Sequence, residues 1–153
     1  MKLFRYDKVD STNLQAKRLW MKTGASGDPI AVIAGEQTAG IGRSGRVWTS
    51  PRGGLWMSVA WPATGQLCTY SAAPVAVALA VAEALETDLK ICTQIKWPND
   101  ILSGGCKLAG ILCQMAQHSA GSVLNAGIGI NGNYPTESIG NSQLRHLPTS
   151  LLD

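Results

Sequence analysis

Asp100-Ile101-Leu102-Ser103-Gly104-Gly105-Cys106-Lys107-Leu108-Ala109-Gly110-Ile111-Leu112-Cys113-Gln114-Met115 is the stretch on which the fold turns. Its two apolar runs, Asp100 to Leu102 and Lys107 to Met115, are spaced to pair across Ser103-Gly104-Gly105, residues suited to a tight reversal. A further strand, Ser122 to Ile130, follows after Ser119-Ala120-Gly121. Ile91 to Trp97 precedes the pair as a strand that stops at Pro98, which has no N–H for a ladder. Trp97 at its end reads as core. Towards the N-terminus, Ser71 to Glu86 is the best helix. Alanine and leucine favour it, Pro74 sits where a first turn tolerates proline, and Ala73, Val77, Ala80, Val81, Ala84 and Leu85 make its apolar stripe. Gly54 to Trp61, with Leu55, Met57 and Val59 alternating, reads as a strand, as do Ile30 to Gly35 and Leu3 to Tyr6. Asp10, Ser11 or Thr12 can cap a helix that carries Leu14, Ala16, Leu19 and Trp20 and ends at Gly24. Helices early and antiparallel strands late make an α+β pattern.

At 153 residues the chain has the size of one domain, and folding should bury roughly 68–70% of its unfolded surface. A charged fraction of 15% and a net charge of +3, with no dense basic cluster, argue against a nucleic-acid partner. The most apolar run, Ala72 to Leu85, is too short to span a bilayer, and Met1-Lys2 does not lead into a signal peptide. The expected location is the cytoplasm, away from membranes. Cys68, Cys92, Cys106 and Cys113 have no C-x-x-C spacing and no partner in His118 or His146, so they read as free thiols, mostly core.

The chemistry is concentrated in Gly40-Ile41-Gly42-Arg43-Ser44-Gly45-Arg46-Val47-Trp48, within a loop spanning 37–53. Glycines let a backbone approach a ligand closely, and arginines carry a planar charged fork suited to carboxylate and phosphate. Such a loop between two strands suggests a cover for a small anionic ligand.

This loop is joined by Asp10-Ser11-Thr12-Asn13, Gln37-Thr38, Lys96-Trp97-Pro98-Asn99-Asp100, Lys107-Leu108-Ala109-Gly110-Ile111-Leu112 and Gly127-Ile128-Gly129-Ile130-Asn131. In this order and spacing, from about Arg5 to Asn133, they resemble the catalytic domain of biotin protein ligases, also called biotin-[acetyl-CoA-carboxylase] ligases. The resemblance implies a class II synthetase-like, biotin/lipoate ligase fold: a mixed, largely antiparallel sheet with helices packed on one face. It implies that biotin and ATP, with Mg²⁺, form biotinyl-5′-AMP and pyrophosphate. A lysine of the biotin carboxyl carrier protein of acetyl-CoA carboxylase then takes the biotinyl group.

By the same resemblance, Ser11, Thr12, Gln37, Gly40, Arg43, Lys107 and Gly110 are the biotin-contacting set. Ser11 and Thr12 can serve as helix caps as well. Arg43, Arg46, Trp48, Lys96, Asn99 and Asn131 correspond to the nucleotide side, Trp48 closing the loop over the adenylate or simply packing. Arg43, Lys96, Asp100 and Lys107 carry the catalytic expectation, with Lys107 on the biotin carboxylate. Asp100 is a candidate Mg²⁺ ligand or the base for the incoming lysine.

Three departures stand out against the family. Ile41, Ser44 and Cys106 occupy positions where it carries basic residues, which implies a weaker hold on the adenylate. The expected domain is 1–153, without the family's C-terminal helix and small β-barrel and without an N-terminal DNA-binding domain, so a repressor role is not expected. Edge strands left open at such a C-terminus favour self-association into a homodimer. Two other readings stay open: a lipoate or octanoate transferase of the same superfamily, and a degenerate, non-catalytic biotin- or nucleotide-binding module.

Overall fold

Gly104 and Gly105 both take positive φ, at 56° and 80°, a conformation open to glycine at little cost, and the chain reverses there. In the computed structural model, which describes residues 1–23, 28–63, 70–118, 121–136 and 147–152, this reversal joins β5 (Asp100–Ser103) to β6 (Cys106–His118) as an antiparallel pair. β6 pairs in turn with β7 (Gly121–Ile130) in unbroken antiparallel register, Ala109 opposite Ile130 through His118 opposite Gly121. The fold-deciding stretch thus behaves as its spacing requires. The expected helix end at Gly24, the turn at Ser119-Ala120, Cys68 and His146 lie outside the described residues.

The other elements are β1 (Lys2–Val9), α1 (Thr12–Thr23), β2 (Ile30–Gln37), β3 (Leu55–Ala63), α2 (Ala73–Leu89) and β4 (Gln94–Lys96). The strands form one seven-stranded sheet in the order β1-β2-β3-β7-β6-β5-β4. Only the β1–β2 pair is parallel. This is the mixed, largely antiparallel α+β sheet expected. The strand expected over 91–97 is shorter: pairing begins only at Gln94, because β4 is an edge with β5 as its single partner.

One detail of the expectation is corrected. The helices cover opposite faces of the sheet rather than sharing one. Residues opposite each other in a ladder share a face, and residues an odd number apart on one strand do not. Ala60 of β3, opposite Ile30 and Asn125, packs with Ala16 and Trp20 of α1. Met57, three residues earlier on that strand and opposite Ile128, packs with Ala78, Ala82 and Leu85 of α2. The buried stripe of α2 is therefore Ala78, Ala82 and Leu85, while Ala80 and Ala84 are exposed. In so alanine- and valine-rich a helix, composition did not fix the stripe's angle. Pro74 does lie in the first turn.

The two apolar clusters share the central strands, and Trp56 on β3 is fully buried between the sheet and the end of the glycine loop. Its indole N–H donates to Pro51 O at 2.8 Å, and its ring meets Tyr134 at a centroid distance of 6.1 Å. Replacing it with alanine should cost about 3–5 kcal/mol of unfolding free energy. For a domain of this size that is a fall of roughly 6–20 °C in Tm. Calorimetry checks this; a change under 2 °C would mean that the site collapses freely around the lost ring.

Candidate functional site: a cationic cleft beside the start of α1

Glycines on the α1-bearing face open space where side chains would otherwise stand. A Cβ on Gly127 would come 2.6 Å from the Asn13 amide, one on Gly110 2.9 Å from the Trp48 ring, and one on Gly129 2.6 Å from Trp48 Nε1. β6 and β7 therefore present a bare backbone patch, on which Trp48 lies flat and beside which α1 begins. The result is a cleft of about 570 Å³. It is lined by the start of α1, the glycine loop, the β4–β5 turn and the first half of β6.

Twelve of the thirteen site residues expected from the sequence line this cleft: Ser11, Thr12, Gln37, Arg43, Arg46, Trp48, Lys96, Asn99, Asp100, Lys107, Gly110 and Asn131. The exception is Gly40, which is buried behind it and does not line it; its carbonyl accepts from Trp48 N at 2.9 Å. Its part is to let the loop close against Ser50, whose Oγ would lie 2.7 Å from any Cβ there.

One end of the cleft holds an uncharged polar cluster at the start of α1. Ser11 stands at the helix cap, its carbonyl accepting from Gln15 N at 2.9 Å. The free amide of Thr12 donates to Gln37 Oε1 at 2.7 Å, and the Thr12 hydroxyl lies 3.0 Å from the same atom. A glutamine from β2 thus satisfies the helix N-terminus in place of a local cap. Fully buried Ser58 lies 2.8 Å from both Thr12 Oγ1 and Asn13 Oδ1. Arg18 forks onto Asp10 at 2.6 and 2.9 Å and holds its carboxyl below the usual range.

The charged end gathers four cations, Arg43, Arg46, Lys96 and Lys107, around one carboxylate, Asp100. Lys107 Nζ lies 2.7 Å from Asp100 Oδ1 and 5.0 Å from the centre of the Trp48 ring. Arg43 Nη1 donates to Asn99 Oδ1 at 2.9 Å, and Asn99 Nδ2 donates to Ile111 O at 3.1 Å. Arg46 Nε donates to Arg43 O at 3.2 Å. The loop is thereby tied to the β4–β5 turn by a single exposed arginine, a contact a ligand anion can compete for. Ser44, at φ 56°, takes a left-handed conformation in the single 3₁₀ turn at Arg43–Gly45.

Several expectations are modified here. Asn131 has its amide engaged within the chain: Nδ2 donates to Lys107 O at 3.2 Å and to Thr149 O at 2.9 Å, and Oδ1 accepts from Tyr134 at 2.6 Å. It fastens the segment after residue 146 to β6. Trp97 is not core; it is 79% exposed at the cleft mouth, because the edge strand β4 has no outer neighbour to cover it. Of the described cysteines, Cys92 is exposed and Cys106 half-buried, so neither is core, while half-buried Cys113 packs against the cluster under α2, burial pushing its thiol up to about 11. Among the described residues no three His, Cys, Asp or Glu gather to hold a metal ion, and the one acid of the cleft is neutralised by Lys107. Asp100 thus does not fit as a preformed Mg²⁺ ligand. Ser50, Ser58, Asn13, Gly127 and Gly129 take part without having been expected. The glycine alternation in Gly127-Ile128-Gly129 and the lone Ser58 in an apolar strand were the available signals.

Comparison with known proteins agrees with this geometry. The family model described as the biotin/lipoate A/B protein ligase family matches residues 7–133. The bifunctional ligase/repressor BirA of Bacillus spizizenii is 37% identical over 151 residues, 97% of this chain and 46% of that protein. The biotin–[acetyl-CoA-carboxylase] ligase of Paracoccus denitrificans is 36% identical over 127 residues, 81% of this chain and 52% of that protein. The chain thus spans about half the length of these relatives. The crystal structure of the Leishmania major biotin protein ligase in complex with biotinyl-5-AMP matches with a TM-score of 0.75 at 29% identity, over 98% of this chain and 63% of that one. The Aquifex aeolicus biotin protein ligase in complex with biotin and ATP gives a TM-score of 0.75 at 30% identity, over 98% and 59%. With most of its length matched by the family model and its cleft built from the motifs that suggested it, the chain belongs to the biotin/lipoate A/B protein ligase family.

Proposed function

We propose that this domain activates biotin with ATP to biotinyl-5′-AMP and transfers the biotinyl group to a lysine of a biotin carboxyl carrier protein. The observation that carries the reading is the cleft's division. A small polar cluster under Thr12 and Gln37 suits an uncharged head group, and Lys107, Arg43, Arg46 and Lys96 suit a carboxylate meeting a triphosphate. A carboxylate oxygen of biotin attacks the α-phosphorus, the bond to the β-phosphate oxygen breaks, and pyrophosphate leaves. The cations hold two anions together and take up charge developing on phosphorus. In the second step the carrier amine attacks the acyl carbon, AMP leaves, and a proton is lost from nitrogen; Asp100 is the carboxylate available to take it. Mg²⁺, which the resemblance implies with ATP, would supply charge neutralisation at the nucleotide phosphates; Asp100 itself is paired with Lys107. ATP consumption and an intracellular carrier suit a cytoplasmic location; among the described residues no helix is long and apolar enough to cross a membrane.

Incubation with ATP, Mg²⁺, labelled biotin and a carrier domain tests this: label should appear on one carrier lysine, with lipoate and octanoate inactive. Label transfer from lipoate instead would favour the transferase reading. Ile41 lines the cleft at a position where the family resemblance implies a basic residue. Changing Ile41→Arg should slow release of biotinyl-AMP about tenfold, since a charge-assisted hydrogen bond contributes about 1.5–3 kcal/mol. Filter-binding chase of the labelled adenylate measures this, and an unchanged rate would mean that position 41 does not reach the anion.

A further inference from the structure

Gln37 lines the cleft, yet what it presents to a ligand depends on which way its amide is turned, and Ser50 decides that. Ser50 is 4% exposed and lies opposite Gln37 in an isolated antiparallel bridge, its carbonyl accepting from Gln37 N at 3.0 Å. Its hydroxyl has one proton, and Trp48 O, 3.0 Å away, can only accept it. The contact of 2.8 Å between Ser50 Oγ and Gln37 must therefore be donated by the glutamine, through Nε2. That turns Oε1 towards Thr12, whose N–H reaches it at 2.7 Å. Both ends of the amide agree, and the one amide proton left over is the group Gln37 offers the cleft. The chain Thr12–Gln37–Ser50–Trp48 O also links the head-group end of the cleft to the residue whose ring forms its wall.

We propose that Ser50 is a positioning residue, fixing the Gln37 amide so that the cleft presents a hydrogen-bond donor to a ligand head group bearing a carbonyl oxygen. The proposal rests on the biotin reading for its ligand, biotin's ureido oxygen being such an acceptor; the dithiolane of lipoate has none.

The test is a double-mutant cycle on biotin affinity, measured by titration calorimetry for Ser50→Ala, Gln37→Ala and the double variant. The backbone bridge at Ser50 survives truncation, and thermal unfolding verifies the fold of each variant. Ser50→Ala should weaken biotin about tenfold by leaving the buried amide group without its acceptor. If Ser50 acts through Gln37, the double variant should bind within about twofold of Gln37→Ala alone. A double variant whose loss is the product of the two single losses overturns the proposal. Should the native chain bind no biotin, it is the functional reading that fails. The Gln37 side-chain amide resonance, read by NMR without ligand, then decides the positioning. Protons that exchange slowly in the native chain and quickly in Ser50→Ala support it; equal exchange in both overturns it.

Discussion

Replacing Lys107 with alanine should lower biotin-dependent adenylate formation by about 100–1000-fold, the scale seen when a single donor to developing charge is removed from a closed site. The lysine opens β6 where its side chain meets both the acid and the wall of the cleft: Asp100 Oδ1 at 2.7 Å and the Trp48 ring at 5.0 Å. Its backbone is held on both sides, N to Leu147 O at 2.8 Å and O from Thr149 N at 3.0 Å, so the side chain springs from a fixed base. Stability should change far less. Both partners of the ion pair are about one-fifth exposed, and an orphaned Asp100 can take up water. A rival explanation is that the variant fails only because it leaves Asp100 unpaired. Adding Asp100→Asn to Lys107→Ala separates the two. Recovery of adenylate formation in the double variant would show that the lysine only neutralises the acid; continued loss, with Tm near that of the native chain, supports direct contact with the reacting carboxylate.

Gly129→Val should weaken biotin binding by about 30–100-fold while lowering unfolding stability by about 1–3 kcal/mol. A first carbon at this position already lies 2.6 Å from Trp48 Nε1 and 2.8 Å from Cε2, and a rigid indole cannot yield as the tip of a flexible chain would. Trp48 has to leave the β6–β7 backbone. Little beyond contact holds it there, because among the described residues its buried indole N–H has no hydrogen-bond partner. Its dislodgement also removes the face over which the Lys107 ammonium rests. Calorimetric titration checks the affinity. Gly110→Ala, with a contact of 2.9 Å to the same ring, should give a smaller loss of the same kind. Full affinity in Gly129→Val would mean that Trp48 is not part of the bound cleft.

The first prediction turns on a residue that was legible before any coordinates, since Lys107 stands in a motif that the family resemblance marks; Gly129 stands inside another such motif, but its own part was not foreseen. Strand pairing was legible too, because Gly104 and Gly105 at positive φ leave β5 and β6 one way to meet. What periodicity could not decide was which face each element covers. It says that Ala60 and Met57 point in opposite directions, not that α1 lies over the first and α2 over the second. Trp97 was misread for a related reason. Its bulk suggests core, but whether a neighbour covers it depends on strand order, and β4 proves to be the edge. Ser58 was missed because a lone serine in an apolar run gives no sign of its partners, Thr12 and Asn13, on another element, and Ser50 because nothing in its loop sequence shows that it meets Gln37 of β2. Asn131 was located correctly but not its bonds, since they depend on where the segment after residue 146 returns.

The most direct test of the account is exchange of labelled pyrophosphate into ATP by this 153-residue chain, with Mg²⁺, in the presence of biotin, lipoate or octanoate. The account predicts exchange with biotin alone, because exchange requires reversible formation of biotinyl-AMP in the cleft bounded by Lys107, Arg43 and Gln37. Folded protein that gives no exchange with biotin, or equal exchange with lipoate, would contradict it.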